Sequence, residues 1–200
     1  MAGIDYFEIH PRKGEYYLFD DDVPGPRRVL FPTPTPISKG IVVTTEISGH
    51  LMIGPNAQDL PPEEKDNLAT TKEGLREVWE GAKKLWPNLP PKSKVIRTFA
   101  GLRPEPTGGG DFIIKAEEEV WGFINVAGIR SPGLTSAPAI AYEVAEILQR
   151  DLGINLVEKE KWNPYRKEIT HFFMLPPEKA NELIKKNPLL RKDSLQMQPR

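Results

Sequence analysis

The chain has 200 residues, and its 27 lysines and arginines against 28 aspartates and glutamates leave a net charge of -1. This balance excludes the electrostatic footprint of a dedicated nucleic-acid binder. The absence of cysteine excludes disulfides, thiolate metal sites and a cysteine nucleophile. It also fits a reducing compartment, and a cytoplasmic location is expected. No stretch approaches the roughly 18 apolar residues of a membrane span, and Met1 to His10 lacks the regions of a signal peptide. The 21 prolines fix many turns and limit long helices.

The first sixty residues read as strands and turns. Glu15-Tyr16-Tyr17-Leu18-Phe19 is prone to strand and ends in the acidic turn Asp20-Asp21-Asp22. Arg28 to Phe31 is a second short run, and the alternating prolines of 32–36 cannot sit in a sheet interior. Gly40 to Ile47 and His50 to Ile53 flank Ser48-Gly49, which predicts a hairpin. Thr70-Thr71-Lys72-Glu73 reads as a capping box opening a helix. Leu75, Val78, Trp79, Ala82, Leu85 and Trp86 then recur at helical spacing until Pro87 stops it.

A second set of strands follows, at Lys94 to Ala100, Asp111 to Ile114 and Trp121 to Gly128. A helix is predicted from about Ala137 to Arg150, with Ile140, Ala141, Val144, Ile147 and Leu148 as its buried stripe. Pro177 to Lys186 reads as a short helix, and Asn187 to Arg200 as a loose tail. Runs of strands interrupted by one long helix favour an α+β fold with a largely antiparallel sheet.

The strongest chemical signal is the passage from Val126 to Ala141. An apolar strand reaches Gly128, and small residues then lead into a helix whose first turn is suited to Pro138. The N–H groups of Gly133, Leu134 and Thr135 would project from a partly positive helix end with no acidic side chain nearby. The plainer reading is tight packing of helix on sheet, and small residues serve both purposes. The second signal is Arg103 in Gly101-Leu102-Arg103-Pro104, a group able to grip a carboxylate or phosphate. Its plainer reading is a surface arginine paired with Glu105 or Asp111. His10, His50 and His171 are far apart and show no metal-ligand spacing, and Asn56 reads as a turn residue. No serine-hydrolase, metalloprotease, phosphate-loop or G-x-G-x-x-G pattern occurs.

Together these blocks resemble the flavin-dependent oxidoreductases of the D-amino-acid-oxidase superfamily, in the glycerol-3-phosphate dehydrogenase-like and 2-hydroxyglutarate oxidase-like branch. The blocks are 11–16, 39–44, 51–57, 99–104 with 111–114, and 127–141. The resemblance implies FAD as cofactor, with Gly128, Gly133, Leu134 and Thr135 facing the pyrimidine side of the flavin. It implies that Arg103 grips a small anionic substrate, with Ser131 and Thr44 lining the same pocket. The expected reaction is hydride transfer from a substrate carbon to flavin N5.

The family begins with G-x-G-x-x-G, which this chain lacks, so it reads as starting inside the family pattern with the N-terminal Rossmann part missing. Residues 1–120 would form the antiparallel-sheet substrate domain with a helix at about 70–86. Residues 121–152 would form a strand-helix segment that completes an FAD-binding domain, and 153–200 a C-terminal extension. A partner chain carrying the Rossmann half, or self-association, is expected. The alternative is a non-catalytic binding module derived from the same fold.

Overall fold

The structure, a computed structural model, describes residues 3–34, 39–165 and 175–187. The chain divides into two compact units, Met1–Leu156 and Val157–Arg200.

The first unit is built on strand β1 (Ile9–Phe19). On one side β1 pairs with β5 (Val95–Pro106) in antiparallel register from Ile9↔Pro106 to Phe19↔Val95. On its other side it pairs with β3 (Leu51–Gly54) near its end and with the two-residue β4 (Gln58–Asp59) near its start. Strand β2 (Val42–Thr45) completes the sheet by pairing with β3. The predicted hairpin is therefore present. Gly49, at φ +98°, turns it, and the Glu46 carboxylate accepts the N–H groups of Ser48 and His50. The Arg28–Phe31 run makes only one bridge, Leu30↔Val43.

Alternation along β1 decides which face meets the core. Tyr17 and Phe19 point inward with Val43, Leu51 and Ile53. Helix α1 (Lys72–Leu85) covers this face through Val78 and Ala82, and the Trp79 ring stands edge-on to Tyr17 at 5.6 Å. The predicted stripe of α1 is the stripe that packs. Fully burying a side chain such as Phe19 or Leu51 contributes about 1.5–3 kcal/mol.

The start of α1 differs from a self-contained capping box. Thr71, not Thr70, is the N-cap, and its Oγ1 accepts the Gly74 N–H. The carboxylate that closes the box belongs to Glu15 on β1, which accepts the Thr71 N–H at 3.1 Å and the Thr71 hydroxyl at 2.9 Å. Glu15 is wholly buried, beside the equally buried Lys13 at 3.7 Å. Gly74 makes room for it, since a Cβ there would lie 2.6 Å from the carboxylate.

A second antiparallel sheet is formed by β6 (Ile113–Ala116) and β7 (Ile124–Ala127). β6 thus pairs with β7 and not with the β1–β5 sheet. Helix α2 (Gly133–Arg150) packs on β6 and buries Ile147. Of the predicted stripe, Ile140, Val144 and Leu148 are half-buried and Ala141 is exposed. The helix starts four residues earlier than predicted, with Pro132 as N-cap, and Pro138 lies inside it. Pro138 removes one helical hydrogen bond but fixes a φ that the helix accepts.

In the second unit, α3 (Pro177–Lys186) has the predicted bounds. His171 and residues 188–200 lie outside the described residues. Among the described residues, no helix is long and apolar enough to cross a membrane.

Candidate functional site

The candidate site lies on the sheet face opposite α1. Register places Arg12, Gly14 and Tyr16 of β1 beside Arg103, Gly101 and Phe99 of β5, all at alternate positions and so on one face. Tyr16 and Phe99 stack with centroids 4.8 Å apart and planes 6° from parallel. Between this stack and Arg103 lies the Gly14–Gly101 pair, which has no side chains. A Cβ on Gly101 would meet nothing within 4 Å, so the gap is open on the β5 side, whereas Pro55 and Asn56 close over Gly14. The arrangement is a guanidinium at one end, an aromatic wall at the other, and a glycine floor between.

Arg103 is held by main chain. Its Nε donates to the Arg12 carbonyl at 3.3 Å, and its Nη2 donates to the carbonyls of Lys13 at 3.2 Å and Asn56 at 2.8 Å. Glu105, its expected partner, is taken by Arg12 at 3.4 Å and Arg130 at 3.0 Å. Asp111 caps the Phe112 N–H. Among the described residues no carboxylate forms an ion pair with Arg103. Burial pulls its guanidinium below the ordinary arginine value, although an arginine stays charged at any working pH. An oriented, partly desolvated and unneutralised guanidinium is a receptor for an anion.

Around it runs a chain of ion pairs. Asp59 binds Arg12 through two bonds of 2.5 and 3.0 Å, with His10 Nε2 at 3.2 Å. Arg12 reaches Glu105, and Glu105 reaches Arg130 beyond β7. The hydrogen bond from Arg12 holds the Asp59 carboxyl below its ordinary value of 3.8. A depressed folded pKa stabilises the protein above the unfolded value and loses that contribution as pH falls through the folded value. Urea midpoints measured from pH 6 downward should therefore show wild type and Asp59→Asn converging below about pH 4. A constant difference across that range would show that Asp59 acts by something other than its charge.

The strand-helix junction is placed as follows. Gly128 is buried at φ +66°, and a Cβ there would lie 2.7 Å from Pro106 Cγ. A Cβ on Gly133 would lie 2.4 Å from Ile129 Cγ2. Both glycines therefore serve packing within the chain. The Gly133 N–H is spent on the Arg130 carbonyl at 2.6 Å, contrary to its expected projection from the helix end. The N–H groups of Leu134 and Thr135 belong to the first turn, which has no helical acceptor. Leu134 is 92% exposed, and no acidic residue stands in this turn. The Thr135 hydroxyl bonds the Pro132 carbonyl, and Ser131 is exposed beside it.

Thr44 does not join Arg103. It shares the sheet face, but its row is that of Leu18, six residues along β1 from Arg12 and about 20 Å away. It lines a separate cleft with Gly25, Arg27, Arg28 and Val29. His50 bonds the Phe19 carbonyl and supports the hairpin.

Sequence reading found Arg103 but missed Gly14, Tyr16, Phe99 and Asn56. Reading Phe99-Ala100-Gly101-Leu102-Arg103 as one continuous strand would have put an aromatic, a glycine and an arginine on one face.

Residues 1–147 match the family described as FAD dependent oxidoreductase. The chain belongs to that family. It is 44% identical over 188 residues to a glycerol 3-phosphate dehydrogenase of Caloramator mitchellensis, covering 94% of this chain and 38% of that one. It is 31% identical over 162 residues to a glycerol 3-phosphate oxidase of Mycoplasma genitalium, covering 80% of this chain and 41% of that one. Among solved structures it is similar to the dithionite-reduced L-alpha-glycerophosphate oxidase of Mycoplasma pneumoniae with FAD bound. There the TM-score is 0.67 at 30% identity, over 80% of this chain and 40% of that one. A glycine oxidase of Bacillus cereus, at 19% identity and a TM-score of 0.57, shares the fold. The chain thus spans about two fifths of the length of the curated relatives it matches.

Proposed function

We propose that this chain is the substrate-binding and flavin-capping part of an FAD-dependent oxidoreductase acting on glycerol 3-phosphate or a similar small anion. The observation that carries the reading is Arg103, unneutralised among the described residues and pinned by three carbonyls at the end of a glycine-floored gap. Glycerol 3-phosphate enters through the names of the relatives. A 2-hydroxy acid or an amino acid presents a carboxylate to the same guanidinium.

In this reading Arg103 holds the anionic group, and the open floor over Gly101 admits the carbon chain. Tyr16 and Phe99 wall it on the far side and exclude water from one face. The first turn of α2 fits one edge of a flavin, because Leu134 and Thr135 are exposed, their N–H groups have no helical acceptor and no acidic residue stands in the turn. Bound FAD supplies the acceptor for the hydride lost from the substrate carbon. The partly positive helix end favours negative charge at the edge it faces. Ser131 stands beside this turn as a secondary contact.

These 200 residues hold no G-x-G-x-x-G turn for the pyrophosphate, so the proposal assigns that contact to residues outside them, and a partner surface for those residues is part of it. Its support is apolar surface on α2 and β7, where Leu134, Tyr142 and Val126 are exposed.

The test is visible absorption during FAD titration of the full chain, alone and with a relative's G-x-G-x-x-G half. Saturable binding in the mixture, followed by anaerobic bleaching with glycerol 3-phosphate, is expected. Arg103→Ala should then lower kcat/KM about 10- to 150-fold, the loss of about 1.5–3 kcal/mol of charge-assisted bonding. Absence of FAD binding in both preparations sinks the flavin-capping role. Equal reduction with Arg103→Ala sinks the anion grip.

A further inference from the structure

We propose that Asn56 is the positioning residue of the anion grip, its buried side chain locking the peptide whose carbonyl holds Arg103. The inference rests on the reading of Arg103 given above. Asn56 is only 3% exposed, although its sequence context suggested a plain turn. Its Oδ1 accepts the Glu15 N–H at 2.8 Å, and its Nδ2 donates to Glu77 Oε2 on α1 at 3.1 Å. Its own carbonyl accepts Arg103 Nη2 at 2.8 Å, the shortest of the three bonds that hold the guanidinium.

The chemistry needs an amide. One side chain must accept from a strand N–H and donate to a helix carboxylate at the same time. Aspartate keeps the acceptor, loses the donor and sets a second negative charge against Glu77. Alanine leaves the buried Glu15 N–H without its acceptor. Aspartate thus frees the peptide that carries the Arg103 bond from its α1 anchor, and alanine frees it from both anchors. Strands β3 and β4, paired with β1, bracket this peptide two residues away on each side, and the side chain of Asn56 ties down the peptide between them. A Cβ on Gly14 would crowd Pro55 at 2.6 Å, the Asn56 carbonyl at 3.3 Å and Arg103 Nη2 at 3.4 Å, so the three groups are packed around one bare position. The grip is thus aimed from the α1 side of the sheet, through Glu77 and Asn56, at a guanidinium on the opposite face.

The test follows Arg103 directly in the full chain with 15N-labelled arginine. The Nε–H resonance is assigned by its loss in Arg103→Lys. Wild type should show a rigid order parameter, about 0.85, and Asn56→Ala should drop below about 0.6. Glu77 is exposed, so Glu77→Ala keeps the fold and should give an intermediate value. The pair Asn56→Asp with Glu77→Gln reverses the direction of that hydrogen bond and should restore rigidity. If Asn56→Ala fails to fold, Glu77→Ala and the reversed pair decide the matter.

Glycerol 3-phosphate is the binding probe. Asn56→Ala should weaken its binding about tenfold, the loss of one charge-assisted bond, and should have no further effect in the Arg103→Ala background. An Arg103 order parameter unchanged in folded Asn56→Ala or Glu77→Ala overturns the positioning role. Probe binding that survives Arg103→Ala overturns the anion grip instead and leaves the relaxation result standing by itself.

Discussion

Replacing Glu15 by alanine should destabilise the first unit by about 3–5 kcal/mol, the range for breaking a buried ion pair from one side. Glu15 is wholly buried and answers three partners at once, one by an ion pair and two by accepting hydrogen bonds. These are the Lys13 ammonium at 3.7 Å, the Thr71 N–H at 3.1 Å and the Thr71 hydroxyl at 2.9 Å. Two of the three are at the positive end of α1, where a carboxylate is favoured. Among the described residues, alanine would leave the buried Lys13 ammonium with only the Ala69 carbonyl, at 3.1 Å, as a partner. It would also strip the cap of the helix that covers the core. Urea unfolding followed by tryptophan fluorescence reads the effect, since Trp79 packs on Tyr17 and Phe19. Adding Lys13→Met should recover part of the loss, because it removes the unpaired buried charge while the two Thr71 donors stay without their acceptor. A change under about 1 kcal/mol in Glu15→Ala would mean that water enters and solvates Lys13.

Gly54→Ala should cost a further class of energy, about 3–5 kcal/mol from strain and overpacking together. Gly54 sits at φ +130°, where a side chain is strained whatever the room around it. There is also no room. An added Cβ would lie 2.5 Å from the Glu15 carbonyl oxygen and 2.8 Å from the Tyr16 ring. The first contact is with main chain of the central strand, which cannot rotate aside. Gly101→Ala is the control, because nothing lies within 4 Å of its added Cβ. It should shift stability by no more than about 0.5 kcal/mol. Thermal unfolding of the two variants separates them by roughly 6–20 °C on the scale for a chain of this size. Equal melting of the two would show that β3 can slide away from Tyr16 without loss.

Much of the architecture follows from local signals. The hairpin is dictated by β-prone runs around Ser48-Gly49, and α1 by a stripe that a helix alone places on one side. The first half of β1 carries no such signal. Pro11, Arg12, Lys13 and Gly14 are poor strand formers, and they are extended because β5 pairs with them residue by residue. The inward positions of Lys13 and Glu15 break the apolar alternation for the same reason, since their burial depends on a helix end more than fifty residues away. Pro138 suits a first turn, but Pro132 occupies the cap and α2 begins four residues before the sequence indicates.

The site divides along the same line. Arg103 was legible because a guanidinium after an apolar strand is conspicuous in any register. Gly14, Tyr16 and Asn56 acquire meaning only when β1, β3 and β5 are laid side by side. The junction glycines show the opposite limit. Gly128 and Gly133 suit both ligand approach and close packing, and only the distances to Pro106 and Ile129 reveal what packing demands of them.

The ion pairs that surround Arg103 have a consequence for selectivity. Among the described residues Arg12, Arg103 and Arg130 share the row with two carboxylates, Asp59 and Glu105, so this group carries one positive charge in surplus. A bound carboxylate brings that row to electrical neutrality. A phosphate ester dianion carries it one charge past neutral, and the excess must be met by dipoles or cations outside the row. Discrimination between a hydroxy acid and a phosphorylated polyol is therefore decided by groups around the arginine rather than by the arginine itself.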